Sequence, residues 1–141
     1  MNTQALMETC RQVRRDIINM TADAASGHVG GSLSVTEILV ALYFHKMNVD
    51  PRNPKDPLRD RMVMSKGHAT PALFACLGEK GYFPTEEFKR FRQLHSILQG
   101  HPDKKCPGVD AATGSLGQGM SIAAGMALGA KVTKNPCTCT A

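Results

Sequence analysis

The sequence predicts an α/β fold in which helices outweigh strands. Three observations carry this: an amphipathic N-terminal segment, a short apolar strand at 61–65 that runs through a glycine turn into an apolar helix, and an alternating stretch from Cys137 onward. Leu6, Cys10, Val13, Ile17 and Met20 recur at spacings of four, three, four and three, with arginines and an aspartate between them. That period predicts a helix over about 3–24, ending before Gly27. A second helix is expected from Ser34 to about Lys46, because Ser34 and Glu37 have capping-box spacing and Val35, Ile38, Leu39 and Leu42 form an apolar stripe. Pro51, Pro54 and Pro57 among charged residues make 50–60 an irregular connection. Arg61-Met62-Val63-Met64-Ser65 reads as a buried strand. Residues 69–81 then carry helical apolar spacing at Leu73, Ala75, Cys76 and Leu77, with Gly78 or Gly81 at the stop. This order puts His68 at the carboxyl end of a strand, the usual ligand edge of an open α/β sheet.

Further along, Pro84-Thr85-Glu86-Glu87 has the form of a helix start, with Thr85 as cap and Phe88 and Phe91 on one side. Residues 93–115 show little periodicity. A loop of that length is uncommon and usually functional or disordered. Residues 116–132 form a helix rich in glycine and alanine, whose low intrinsic propensity is expected to be offset by close interior packing. Its N-terminus follows Gly114 and would present free backbone N–H groups.

The chain has 141 residues, 42% of them hydrophobic, enough for one domain with a core. Its net charge of +5 comes from scattered Lys and Arg without a nucleic-acid-binding motif, so anionic metabolites fit better than DNA or RNA. No apolar run reaches membrane-span length and no secretory core opens the chain, so the expectation is a cytoplasmic protein without membrane or nucleic-acid partners. Five cysteines argue against a disulfide framework; Cys10 and Cys76 fall on apolar helix phases, and Cys137-Thr138-Cys139 reads as a strand start rather than a zinc knuckle.

Three histidines each follow a glycine: His28 in Ser26-Gly27-His28, His68 in Ser65-Lys66-Gly67-His68-Ala69, and His101 in Gly100-His101-Pro102. Imidazoles gathered at element boundaries suit polyhydroxylated, phosphorylated ligands, since they exchange protons near neutral pH and hydrogen-bond hydroxyls and phosphates. Any one of them could instead be a loop residue satisfying nearby backbone. His45 and His95 lack this context and are read as structural. A histidine-only zinc site competes, but the three are far apart in sequence and none has an acidic or thiol neighbour at ligand spacing. Gly114-Ser115-Leu116-Gly117-Gln118-Gly119 is neither a nucleophile elbow nor a regular dinucleotide fingerprint, and reads as a binding loop.

Taken together, Ser26-Gly27-His28-Val29-Gly30-Gly31-Ser32-Leu33-Ser34, Ser65-Lys66-Gly67-His68-Ala69, Phe91-Arg92-Gln93-Leu94-His95-Ser96, Gly100-His101-Pro102 and the run from Gly108-Val109-Asp110 to Gly119 resemble, in order and approximate spacing, the N-terminal part of transketolase of the split type. The resemblance runs from about Met7 to Lys134. It implies an N-terminal thiamine-diphosphate-binding fold, a parallel sheet flanked by helices. It also implies transfer of a two-carbon ketol unit from a ketose phosphate to an aldose phosphate, with thiamine diphosphate and Mg2+ or Ca2+, in carbohydrate metabolism such as the pentose phosphate pathway. By the same resemblance His28 and His101 contact sugar hydroxyls. His68 lies between the cofactor diphosphate and the substrate and assists proton transfer, while Gly114, Ser115 and Leu116 line the cofactor. Ser115 stands where many family members have proline, which alters the stiffness of the loop more than its contacts.

The family's Gly-Asp-Gly signature and following asparagines, which supply the metal ligands, have no match here. The expectation is therefore a partial domain over 1–141, incomplete at the C-terminus, with no metal ligands of its own. Such a chain would fold poorly and be inactive alone, and would act with a C-terminal transketolase subunit or domain in a homo- or hetero-oligomer. Competing readings are another thiamine-dependent enzyme, 1-deoxyxylulose-5-phosphate synthase or dihydroxyacetone synthase, and a non-catalytic assembly module.

Overall fold

The computed structural model describes residues 2–141. Helix α1 spans Thr3–Asp23 and is capped by the Asn2 side chain, which accepts from the Ala5 N–H at 2.9 Å. Its apolar period is realised as written: Val13, Ile17 and Met20 are buried, and Leu6 and Cys10 pack at the edge of the core. Two short helices follow, α2 over Val29–Leu33 and α3 over Thr36–Ala41, with a π-helical turn over Leu42–Lys46.

The helix expected from Ser34 is therefore split and starts differently. Ser34 closes α2 instead of opening the next helix, and its hydroxyl donates to the Gly31 carbonyl at 3.0 Å and accepts from Lys66. The capping box does not form. The buried stripe is also shifted by one position: Thr36, Leu39, Val40 and Tyr43 are inside, and Ile38 is 60% exposed. Glu37 instead pairs with Arg14 of α1.

Strand β1 covers only Arg61–Met62, although Val63 and Met64 beyond it are buried as expected. It pairs in parallel with β2, Cys139–Thr140, in the register Arg61 to Cys139 and Met62 to Thr140. A 3-10 turn at Gly67–Ala69 leads into α4, Thr70–Lys80, closed by Gly81 at a φ of +95°. Residues 70–78 are all buried, so α4 is the central rod of the core, with α1, α2 and α3 against it. The segment after Pro84 is a 3-10 helix, Thr85–Arg90, without a side-chain cap from Thr85.

Residues 91–117 contain no helix or strand but are ordered by burial of Phe91, Leu98, Cys106 and Val109. Asp110 fastens this stretch to β1. Its carboxylate accepts from Arg59 at 2.6 and 3.2 Å and from the Met62 N–H at 2.9 Å, with both side chains buried. Helix α5, Gln118–Val132, closes the fold, and the expectation of interior packing fails there. Only Gly119 and Ala123 are buried, and Met120, Leu128 and Val132 are each more than 60% exposed. The small residues reflect one close contact at the first turn rather than an enclosed helix.

Candidate functional site

Two glycines determine how the loops meet. A Cβ on Gly67 would lie 2.5 Å from the Thr113 carbonyl oxygen, and one on Gly119 would run into Ser65 at Cα and lie 2.7 Å from its Cβ. The turn carrying His68 is thereby pressed between the 113–115 stretch and the first turn of α5, which no residue larger than glycine permits. The Thr113 hydroxyl completes the junction by donating to the Met64 carbonyl at 2.6 Å.

Lys66 ties the same turn to α2, its ammonium donating to the Gly31 carbonyl at 2.7 Å and to the Ser34 hydroxyl at 3.0 Å. This brings together two of the sequence-predicted histidines. The rings of His28 and His68 are 4.8 Å apart between centroids and tilted by 53°. A Cβ on Gly31 would sit 3.4 Å from His68 Nε2, so the α2 backbone runs alongside that imidazole. His68 is half-buried and His28 exposed at the N-terminus of α2.

The loop bearing His101 is held by Arg92. Its guanidinium donates to the Ser26 hydroxyl and packs over Gly100, while its own backbone is left-handed at a φ of +60°. A non-glycine residue in that region is strained and persists only where its surroundings hold it. Thr70 Oγ1 adds a bond to the Gly100 carbonyl at 3.2 Å. His101 comes within 3.8 Å of the Cβ position of Gly114, next to the exposed Ser115 and Leu116. Leu116 is 70% exposed directly before Gly117, whose φ of +88° starts α5 with no side chain capping the first turn.

The electrostatics of the cluster follow from this crowding. Desolvation, then the charges of His28, Lys66 and His101, hold the His68 imidazole below its ordinary pKa. It is therefore neutral at physiological pH and able to accept a proton. The ammonium of Lys66 and the uncapped N-terminus of α5 supply positive potential, which favours an anionic group. Thus His28 and His68 adjoin at the 65–68 turn, His101 lies beside Gly114, and Ser115 and Leu116 follow in the exposed loop. His45 and His95 are exposed and outside the cluster.

Sequence reasoning misses Lys66 and Arg92. Both lie inside the quoted motifs, but their partners are 35 and 66 residues away, and no local pattern reports such contacts. Among the described residues no three His, Cys, Asp or Glu side chains are grouped to hold a metal ion, and no helix is long and apolar enough to cross a membrane.

The helical α/β body thus carries two adjoining histidines, a third on the neighbouring loop and an uncapped helix N-terminus along one edge. Residues 2–138 match the family described as transketolase, thiamine diphosphate binding domain, and the chain belongs to it. It is 46% identical over 134 residues to the 6-deoxy-6-sulfo-D-fructose transketolase subunit SqwG of a Clostridium species, covering 94% of this chain and 49% of that protein. It is 41% identical to one of the subunits of apulose-4-phosphate transketolase of Phocaeicola vulgatus, covering 95% and 48%. The chain thus spans about half the length of these two relatives, and 20% of the length of mammalian transketolases to which it is 44% identical. The fold agrees: transketolase from Campylobacter jejuni superposes with a TM-score of 0.85 at 41% identity, covering 93% of this chain and 21% of that one.

Proposed function

We propose that this chain is the cofactor-diphosphate side of a split transketolase, working with a C-terminal subunit to move a two-carbon ketol unit from a ketose phosphate to an aldose phosphate. The grouping of His28, His68 and His101 against the exposed 114–116 loop carries this reading. Two of the relatives are named as single subunits of transketolases, which supports assembly with a second chain, as homo- or hetero-oligomer. Sugar phosphate chemistry suits a cytoplasmic setting.

The residues present fit thiamine diphosphate. The exposed Leu116 side chain offers an apolar face beside bare backbone at Gly114, and the N-terminus of α5 and Lys66 favour phosphate. When bound, the cofactor would stabilise the carbanion character of the transferred unit. Within the chain, His28 and His101 hydrogen-bond the sugar hydroxyls and fix their orientation. Neutral His68 takes or returns a proton at its imidazole nitrogen, and Lys66 and Arg92 keep the two histidine-bearing loops at fixed separation.

Among the relatives, two are named for 6-deoxy-6-sulfo-D-fructose and apulose-4-phosphate, and others at 44% identity simply as transketolase, so the sugars to be compared include both kinds. Co-purification with a C-terminal subunit, followed by calorimetric titration of thiamine diphosphate with Mg2+ and a ketol-transfer assay across these sugars, tests the proposal. The expected result is saturable binding, with His68→Ala lowering turnover by about 10²- to 10³-fold. Absence of binding in the assembly, or full turnover by the His68 variant, would overturn it.

A further inference from the structure

Cys137 and Cys139 stand outside the histidine cluster, one just before β2 and the other at its first position; both are half-buried and neither is in a disulfide. The backbone around them is fixed on each side. The Asn135 side-chain amide donates to the Pro57 carbonyl at 2.8 Å, and its Oδ1 accepts from the Cys137 N–H at 3.0 Å. The Thr138 N–H donates to Asp60 Oδ1 at 2.6 Å, and the Thr138 carbonyl accepts from the Arg61 N–H at 2.8 Å. Along an extended chain, side chains two apart share a face, so the two thiols lie on the same face of β2, within hydrogen-bonding reach of each other. A cavity of about 290 Å3 opens there between β2 and α5, lined by Cys137, Met126, Gly129 and Arg61 among others, and Arg61 is the residue in register with Cys139.

Two adjoining thiols beside a guanidinium differ from Cys76 and Cys106, which are buried in the core, where desolvation holds the thiol protonated and inert. We infer that Cys137 and Cys139 are a reversible dithiol–disulfide pair that exchanges with small disulfides of the glutathione class. The Cys137 thiolate, on the cavity, attacks one sulfur of the small disulfide, expels one small thiolate and is left in a mixed disulfide. Cys139 then gives its proton to solvent and attacks the Cys137 sulfur, expelling the second small thiolate. The protein pair is thereby oxidised by two electrons, and the small disulfide is reduced to two thiols. Arg61 supplies positive charge that draws an anionic disulfide to the cavity. At a rise of about 3.3 Å per residue the two Cα atoms are about 6.6 Å apart, the upper end of the roughly 4.4–6.8 Å that a disulfide spans. The bridge must therefore draw the strand together, which loosens the bonds of Thr138 to β1 and keeps the bridge easy to reduce.

The test equilibrates the chain with reduced and oxidised glutathione at a series of ratios and quenches with iodoacetamide. Mass spectrometry then follows the tryptic peptide 135–141, which holds both cysteines. At oxidising ratios the expected peptide is unalkylated and two hydrogens lighter than the dithiol, and dithiothreitol restores it. Oxidation should also speed hydrogen exchange at the Arg61 amide by about tenfold or more, since its acceptor Thr138 is displaced. Cys139→Ser should stop at glutathione on Cys137. Alkylation of both thiols at every ratio, a bridge between two chains on a non-reducing gel, or Arg61 exchange unmoved by oxidation overturns the inference.

Discussion

Helices α4 and α5 follow the same local pattern, a glycine turn and then an apolar helix, yet they end in opposite environments. Every residue of α4 from Thr70 to Gly78 is buried, whereas α5 buries only Gly119 and Ala123 and leaves Leu128 and Val132 in the open. The turn before α4 is pinned by Lys66 and Thr113; the turn before α5 stands exposed from Gly114 to Gln118. Apolar composition states that a helix can be buried, and what covers it is decided by elements elsewhere in the chain. In this molecule α4 is the enclosed support, and the start of α5 is open to solvent.

The largest test of that contrast is truncation of one apolar side chain in each helix. Phe74→Ala removes a ring wholly enclosed in the core and should cost about 3–5 kcal/mol, while Leu128→Ser should stay within about 0.5 kcal/mol. Urea unfolding of both variants checks this, and equal losses would mean that α5 is covered in solution. A finer test uses two glycines of α5. Gly119→Ala forces a methyl into Ser65 and should destabilise by about 1–3 kcal/mol, while Gly125, with nothing within 4 Å of its Cβ position, should gain about 0.5–1 kcal/mol as alanine. Thermal melts of the pair should therefore move in opposite directions.

The smallest effect lies in the turn before α4. Because His68 is depressed in the folded state, its unfolded form takes up a proton first as pH falls, so this group's stabilising contribution is complete above about pH 6.5 and is lost as pH drops through the folded pKa. Removing one of the charges that depress it, with His28→Gln, should raise the His68 midpoint in an NMR titration. An unmoved midpoint would show that the ring contact between them is not maintained in solution.

What could be read from the sequence divides along the same line. Helices α1 and α4 follow from the spacing of their own apolar residues, and the alternation from Cys137 points to β2, although the strand begins only at Cys139. The capping box at Ser34 does not form because a distant cation, Lys66, takes that hydroxyl. The cap at Thr85 is lost because the segment tightens into a 3-10 helix. Burial of α5 is overstated by its composition, because small residues signal a close approach without revealing how far along the helix it extends. In the site, glycine neighbours pick out His28, His68 and His101, which lie together in space, but the contacts that set their separation join residues far apart in sequence and leave no local trace.

The parallel pairing of β1 with β2 also has a consequence for how the chain acquires its shape. Asp60, at the head of β1, accepts from the Thr138 N–H, a contact spanning 78 residues, whereas α1, α3 and α4 find each other over much shorter loops. During synthesis the helical body can therefore form while β1 still waits for its partner strand. The sheet edge is set last, and its closure, which is long-range and entropically costly, is the step expected to limit the folding rate.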